Sequence, residues 1–314
     1  MTGQTLIHRL AIAVAALLVG AGAVLADGFG PLVTPAELAE GRDAVQPVVL
    51  DIRDQGYAEG HLPGAVSAPY STFRGPRDNA GQVPRIDKLQ SDLEKFGLAT
   101  DRPVVIVPDG RTDSDFGAAA RVYWTLKSVG FENLSILNGG TQGWVAAGLP
   151  VDTTQVMPQP TTLDLTFSDQ WLAPTGTVTD IIDGRIDAVL VDSRPAEFFE
   201  GRAKVDAAAK PGTLPGAESH PYTNFFTPGS AAISPVQDAA DLKRRLGVAD
   251  GQDVVAFCNT GHWAATEWFA LSELAGIENV RLYPTSMVEY SQTGLPMDNV
   301  PSLLASLKRQ IRGD

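Results

Sequence analysis

Three blocks of this sequence recur in the same order, and a duplicated chain folds as two copies of one unit. "VTPAEL" from Val33 returns as "VTDIID" from Val178. "VVLDIRDQGYAEGHLPGAVSAPY" (48–70) returns as "VLVDSRPAEFFEG…TLPGAESHPY" (189–222), with "RAKVDAAAKPG" inserted in the second copy. "VVIVPDGRTDSDFGAAARVYWTLKSVGFENLSILNGG" (104–140) returns as "VVAFCNTGHWAATEWFALSELAGIENVRLYPTS" (254–286). In each copy, short apolar runs such as "PVVLDI" and "DVVAF" alternate with helical patterns such as "AARVYWTLKSVG" and "ATEWFALSELAG". Buried strands with helices between them predict an α/β unit: a mainly parallel sheet with helices on both faces. Thr34 and Thr179 are the expected N-caps of the first helix in each copy. The first unit is placed at 30–150 and the second at 171–302, joined by a linker over 151–170 that is rich in Thr, Pro and Gln.

The ends and the charge bound the setting. His8 and Arg9 precede the apolar stretch "LAIAVAALLVGAGAVLA", and Val24, Leu25 and Ala26 fit a small-residue cleavage site, so 1–26 reads as a signal peptide cut after Ala26. The stretch is short and rich in Ala and Gly for a bilayer span, which leaves an uncleaved membrane anchor as the alternative. Either way the chain is expected to be exported, to the periplasm or outside the cell. With 24 Lys+Arg against 37 Asp+Glu, the net charge of −13 argues against a nucleic-acid backbone as partner, and none is expected.

An exported chain with one cysteine cannot close an internal disulfide, and a lone thiol in an oxidising compartment must be sheltered or used. Cys258 follows the strand pattern "DVVAF" and precedes a helical one, the crossing at which open α/β sheets bind ligands. Gly261 in the intervening "NTGHW" permits a turn in which successive N–H groups face one anion, and the helix N-terminus adds positive potential. A thiolate or persulfide would be stabilised there without a lysine. A cysteine ending an apolar run is most often a small core residue; the glycine, the crossing and the absence of a second cysteine favour a reagent. At the matching place the first copy has Pro108, so there is one thiol site per chain, and Asp109 and Arg111 beside Pro108 are left structural or interfacial roles.

Other cysteine chemistries fit less well. A Cys-x5-Arg phosphatase loop needs an arginine where Ala264 stands. Zinc would need three or four soft ligands, whereas Cys258 and His262 have only His61 and His220 as candidates, both remote in the sequence, and no metal is expected. A Cys–His hydrolase would use His262, but a partner on the same tight loop can face away and has no evident orienting residue.

Together, "VLDIR…GHLPGA", "NGG…GW…AGLPV" and "FCNTGHWAA" resemble the rhodanese family of sulfurtransferases in its tandem form, over roughly residues 30–300, with a silent first domain and a catalytic second one. The resemblance implies a cofactor-free ping-pong transfer. A thiolate takes the outer sulfur of a donor such as thiosulfate, holds it as a persulfide, and passes it to cyanide, a thiol or a protein acceptor. It implies Cys258 as the persulfide-bearing nucleophile and Asn259, Thr260, Gly261, His262 and Trp263 as the cradle. Asp192 and Arg194 match the family's Asp-x-Arg and read first as a buried ion pair, because Asp51 and Arg53 repeat it; Arg194 is also a candidate contact for the substrate. Trp144 and Gly139–Gly140 read as packing and turn. Two departures weaken the case for an anionic donor: the loop offers only His262, if protonated, in place of Arg or Lys, and Phe198 stands where a second arginine is expected. Trp263 and Phe198 suggest an aromatic entrance suited to another sulfane-sulfur donor or a protein partner. The rival reading is a non-catalytic sulfane-sulfur carrier or redox-sensing protein using the same thiol.

Overall fold

The computed structural model describes residues 28–302; the expected signal peptide lies outside the described residues. Strands β1 (Leu32–Val33), β2 (Val48–Asp51), β3 (Val66–Ser67), β4 (Val104–Val107) and β5 (Leu134–Leu137) form a parallel sheet of order β1-β5-β4-β2-β3. The second sheet, of order β7-β6-β8-β9, is also parallel, from β6 (Ala188–Asp192), β7 (Glu218–Ser219), β8 (Asp253–Phe257) and β9 (Val280–Leu282). A parallel bridge between Leu172 and Leu282 takes the place of the β1–β5 pairing, so both copies have one topology.

The runs "VVLD" and "VVIV" are buried at every position, as strands covered on both faces must be. On one face of the first sheet, Val49, Val105 and Val107 pack with Leu38 of helix α1 (Pro35–Val45) and with Trp144. On the other, Leu50 and Ile106 pack with Leu89 of α2 (Ile86–Lys95) and Phe116 of α3 (Asp113–Ser128). Trp144 lies in α4 (Gly140–Ala146) and donates to Pro150 O at 2.7 Å; Gly139 and Gly140 make the turn before it. In the second copy, α5 (Thr175–Ile182) and α6 (Ala196–Phe199) flank β6, and α7 (Ala239–Arg245) precedes β8. Helix α8 (Trp263–Phe269) follows β8, and α9 (Ser286–Tyr290) follows β9.

Thr34 caps α1 in a capping box with Glu37, as expected. Thr179 does not cap its helix. Leu172 pairs with Leu282 as Leu32 pairs with Ile136, so Pro174 falls where Thr34 stands, and Thr179 lies inside α5 with its hydroxyl donated to Thr175 O. The 151–170 segment has no helix or strand, yet it is strapped to the first domain: Leu163 N–H donates to the Glu94 carboxylate, Leu165 N–H to the Gln90 side chain and Ser168 N–H to Ser128 O.

The two domains share one core. Small buried residues, Ala119 and Ala120 of α3 and Ala264 and Ala265 of α8, lie in a single apolar cluster that runs from the first sheet to the second. Phe116 and Tyr123 meet Phe269 edge-on at 5.4 and 5.1 Å. Burial of a ring of that size contributes about 2–3 kcal/mol, so the interface is an interior rather than a hinge. This packing lays α3 of the cysteine-free domain against the Cys258 loop.

Candidate active site at the domain interface

Cys258 sits at the C-terminal end of β8 with 1% of its surface exposed. Its N–H donates to Ser286 Oγ at 3.0 Å, and Ser286 Oγ donates to Tyr283 O at 2.6 Å. The carbonyls of Cys258 and Asn259 accept from Met287 N–H and Val288 N–H, both at 3.1 Å. The first domain repeats this frame, with the carbonyls of Pro108 and Asp109 accepting from Thr141 and Gln142 N–H at 2.9 Å. Duplication has thus kept the backbone and replaced the thiol. Asp109 pairs with Arg111 and Gln142, all within its own domain.

The loop after Cys258 is held by its carbonyls, not its amides. Among the described residues, the N–H groups of Asn259, Thr260, Gly261, His262 and Trp263 donate to no protein acceptor. Asn259 and Gly261 are buried and the other three residues partly so; a run of five N–H groups without protein acceptors beside the thiol is a place for an anion. Gly261 turns the loop at φ +65°, and a Cβ there would lie 2.6 Å from Pro284 O and 2.5 Å from Arg121 Nη1. On the other side Gly117 of α3 is equally constrained, since a Cβ would lie 2.8 Å from His262 O.

The loop side chains divide between the two domains. The Asn259 amide oxygen accepts from Arg194 Nη1 at 3.3 Å. Arg194 itself is consumed by Asp192, at 2.6 and 2.8 Å, and by Gly212 O at 2.8 Å, while Phe198 lies 5.8 Å from its guanidinium carbon. Arg53 makes the same contacts with Asp51 and Gly60 O in the silent domain. Thr260 is half-buried. Trp263 stacks on Tyr222 at 5.2 Å, meets Phe198 edge-on at 5.9 Å and donates Nε1–H to Ser114 Oγ at 2.9 Å; sequence reading had not found Tyr222.

His262 departs from the expectation that it could hold an anion as a cation. Its ring turns into the first domain, with Nε2 2.9 Å from Ser114 O and Nδ1 3.0 Å from Tyr70 Oη. Arg74 donates to Tyr70 Oη at 2.9 Å, so the chain of donors runs from Arg74 through the Tyr70 hydroxyl to Nδ1, and the neutral imidazole donates Nε2–H to Ser114 O. Burial, reinforced by the Arg74 charge, pulls its pKa down to about 4. His262 is therefore neutral near pH 7.

Sequence reading also missed Arg121 of α3. It is fully buried and donates to Gly261 O at 3.3 Å and Gly81 O at 2.8 Å, bridging the loop to the first domain. Burial, with the Arg74 charge beside it, lowers its pKa to about 9. A helical periodicity shows that position 121 is on the buried face, but not what lies across it. Among the described residues, no group of three or more His, Cys, Asp or Glu is placed to hold a metal ion, and no helix is long and apolar enough to cross a membrane. His61 stacks on Tyr57, and His220 pairs with buried Glu267.

The family model of the rhodanese-like domain matches twice, at residues 34–147 and 177–293. A thiosulfate sulfurtransferase of Azotobacter vinelandii is 29% identical over 84% of this chain and 96% of its own length. A 3-mercaptopyruvate sulfurtransferase of Escherichia coli is 28% identical over 78% of this chain and 86% of its own length. The crystal structure of a 3-mercaptopyruvate sulfotransferase, SseA of Escherichia coli, superposes with a TM-score of 0.69 at 23% identity, covering 82% of this chain and 99% of that one.

Proposed function

Since the chain is a sulfurtransferase of the rhodanese family with two such domains in tandem, we propose that it carries sulfane sulfur as a persulfide on Cys258. The Cys258 thiolate attacks the outer sulfur of the donor; with thiosulfate, a new S–S bond forms, the old one breaks, and sulfite leaves with the bonding pair. Cyanide or a thiolate acceptor then attacks the outer sulfur of the persulfide and the Cys258 thiolate departs, closing a ping-pong cycle. The observation that carries this reading is the run of N–H groups from Asn259 to Trp263, without protein acceptors, beside the one thiol of the chain. Those amides supply a fixed field for the anionic sulfur without reorganisation.

The relatives named above differ in donor, thiosulfate in one case and 3-mercaptopyruvate in the other. Arg194 is spent on Asp192 and His262 is neutral, so the loop's own side chains offer little to a dianion, and aromatic Trp263, Phe198 and Tyr222 favour a less charged donor or a protein acceptor. A donor atom reaches a sulfur with 1% exposure only through a local opening. That burial supports the second reading, a slow sulfur carrier or redox sensor rather than a fast enzyme. Export through the 1–26 segment, cleaved or kept as an anchor, is part of the proposal and places the protein in the periplasm or outside the cell.

Purified protein is incubated with thiosulfate or 3-mercaptopyruvate, and intact mass is followed before and after adding cyanide or a thiol. The proposal expects a one-sulfur adduct that is absent from Cys258→Ser and discharged by an acceptor. An adduct that persists with every acceptor selects the carrier. Equal sulfur uptake by wild type and Cys258→Ser removes both readings.

A further inference from the structure

The positive charge of this site has to come from somewhere other than the residues that sequence matching nominates. Arg194 is locked in its ion pair with Asp192, and His262 is neutral and bonded to Ser114 and Tyr70. Two guanidinium groups of the other domain remain, Arg121 on α3 and Arg74 after the short helical turn Tyr70–Phe73. Arg121 is a fully buried cation without an anion: it donates only to two backbone carbonyls, its Nε has no partner, and among the described residues it forms no ion pair. Arg74, half-buried, is bonded to the Tyr70 hydroxyl and likewise has no carboxylate.

An uncompensated buried charge is among the costliest features a core can hold, and folds keep one only where an opposite charge meets it. Two ionisable groups oppose it, the Tyr70 hydroxyl and the Cys258 thiol; burial keeps the Tyr70 hydroxyl neutral, which leaves the sulfur, and Arg121 holds the Gly261 carbonyl three residues from Cys258. We infer that the cysteine-free first domain is a working half of the site, supplying Arg121, with Arg74 behind it, as the counter-charge of the Cys258 thiolate and persulfide. Arg121 is a positioning and charge-balancing residue, since Gly261 and not substrate is what it touches. This accounts for the shared core: α3 is pressed against the loop closely enough that Gly117 and Gly261 both lack room for a Cβ. It also accounts for a loop without Arg or Lys, because the charge arrives from 140 residues away in sequence.

The inference rests on Cys258 being the sulfur carrier, and its test is separable from that reading. The rate of iodoacetamide alkylation of Cys258 is measured against pH in the full chain, with far-UV circular dichroism to confirm folding. Arg121→Met is expected to raise the midpoint by about one pH unit, a tenfold loss of reactive thiolate at any pH below it. Arg121→Lys, which keeps the charge and loses the fork, is expected to stay close to wild type. Should Arg121→Met not fold, Arg74→Met carries the test with a smaller upward shift, about two- to threefold in rate. An unmoved midpoint in the folded variant, or an Arg121→Lys shift as large as that of Met, overturns the inference. A wild type that alkylates normally but never takes up sulfur overturns the persulfide reading alone.

Discussion

Two glycines with nearly the same backbone angle separate conformational strain from crowding at the sulfur loop. Gly261 has φ +65° and Gly247, after α7, has φ +67°. An alanine in the left-handed region costs roughly 1–2 kcal/mol at either position. Around Gly247 nothing lies within 4 Å of an added Cβ, so Gly247→Ala is expected to cost that amount and no more. At Gly261 the methyl would lie 2.5 Å from Arg121 Nη1, 2.6 Å from Pro284 O and 2.7 Å from Pro284 Cα, distances that real Cβ contacts do not show. Pro284 is backbone, adjoining the turn that receives the Cys258 and Asn259 carbonyls, and cannot swing aside as a side-chain tip would. Overpacking of this kind adds about 1–3 kcal/mol, which brings Gly261→Ala to about 2–5 kcal/mol. Urea unfolding of both variants, followed by tryptophan fluorescence, measures the difference, and sulfur uptake by intact mass measures the consequence. Gly247→Ala is expected to load sulfur as wild type does, and Gly261→Ala to load poorly even where it is folded. Equal losses of stability with equal loading would refute the claim that the loop is clamped between Arg121 and Pro284.

Three further outcomes follow from the same geometry. The folded-state pKa of His262, about 4, lies below its ordinary value of 6.5, so the neutral form stabilises the fold fully above pH 6.5 and that contribution is lost as pH falls towards 4. Up to about 3 kcal/mol is at stake, and denaturation midpoints between pH 7 and pH 4 should fall more steeply in wild type than in His262→Gln; parallel slopes would count against it. Arg194→Met leaves the Asp192 carboxylate buried and unpaired, and Arg53→Met does the same to Asp51, so each should cost about 3–5 kcal/mol in thermal or urea unfolding. A large loss of sulfur uptake in Arg194→Met with little loss of stability would instead make that guanidinium a substrate contact. Trp263→Ala removes one stacked and one edge-on aromatic contact, each worth about 0.5–1.5 kcal/mol, and should speed alkylation of Cys258 several-fold by opening the aromatic cluster; an unchanged rate would place the entrance elsewhere.

Much of the architecture was legible because duplication writes it twice. The runs "VVL", "VVIV" and "VVAF" announce buried strands through unbroken apolar composition, and their spacing by helical patterns leaves a parallel sheet as the economical arrangement. Cys258 at a strand end and Gly261 in the turn after it were readable for the same reason, since both are local. Thr179 was misread as a cap because a motif match is not a structural register, and the register is set by the pairing of Leu172 with Leu282. His262 was misread as a potential cation because charge depends on what surrounds the ring, here Tyr70, Ser114 and Arg74 from the other domain.

By itself the sequence determined the repeat, the alternation of strands and helices in each copy, and the position of the one thiol in a tight turn, all properties of hydrophobic period and of residues adjacent in the chain. Only the tertiary structure decided that the thiol is covered, that Arg194 is occupied, and that Arg121 reaches the loop, with Arg74 behind Tyr70 and His262, from the domain without a cysteine. The reason is that periodicity records whether a side chain is buried, whereas the electrostatics of a site are summed over neighbours in space, and packing α3 against α8 brings together groups that the chain keeps far apart.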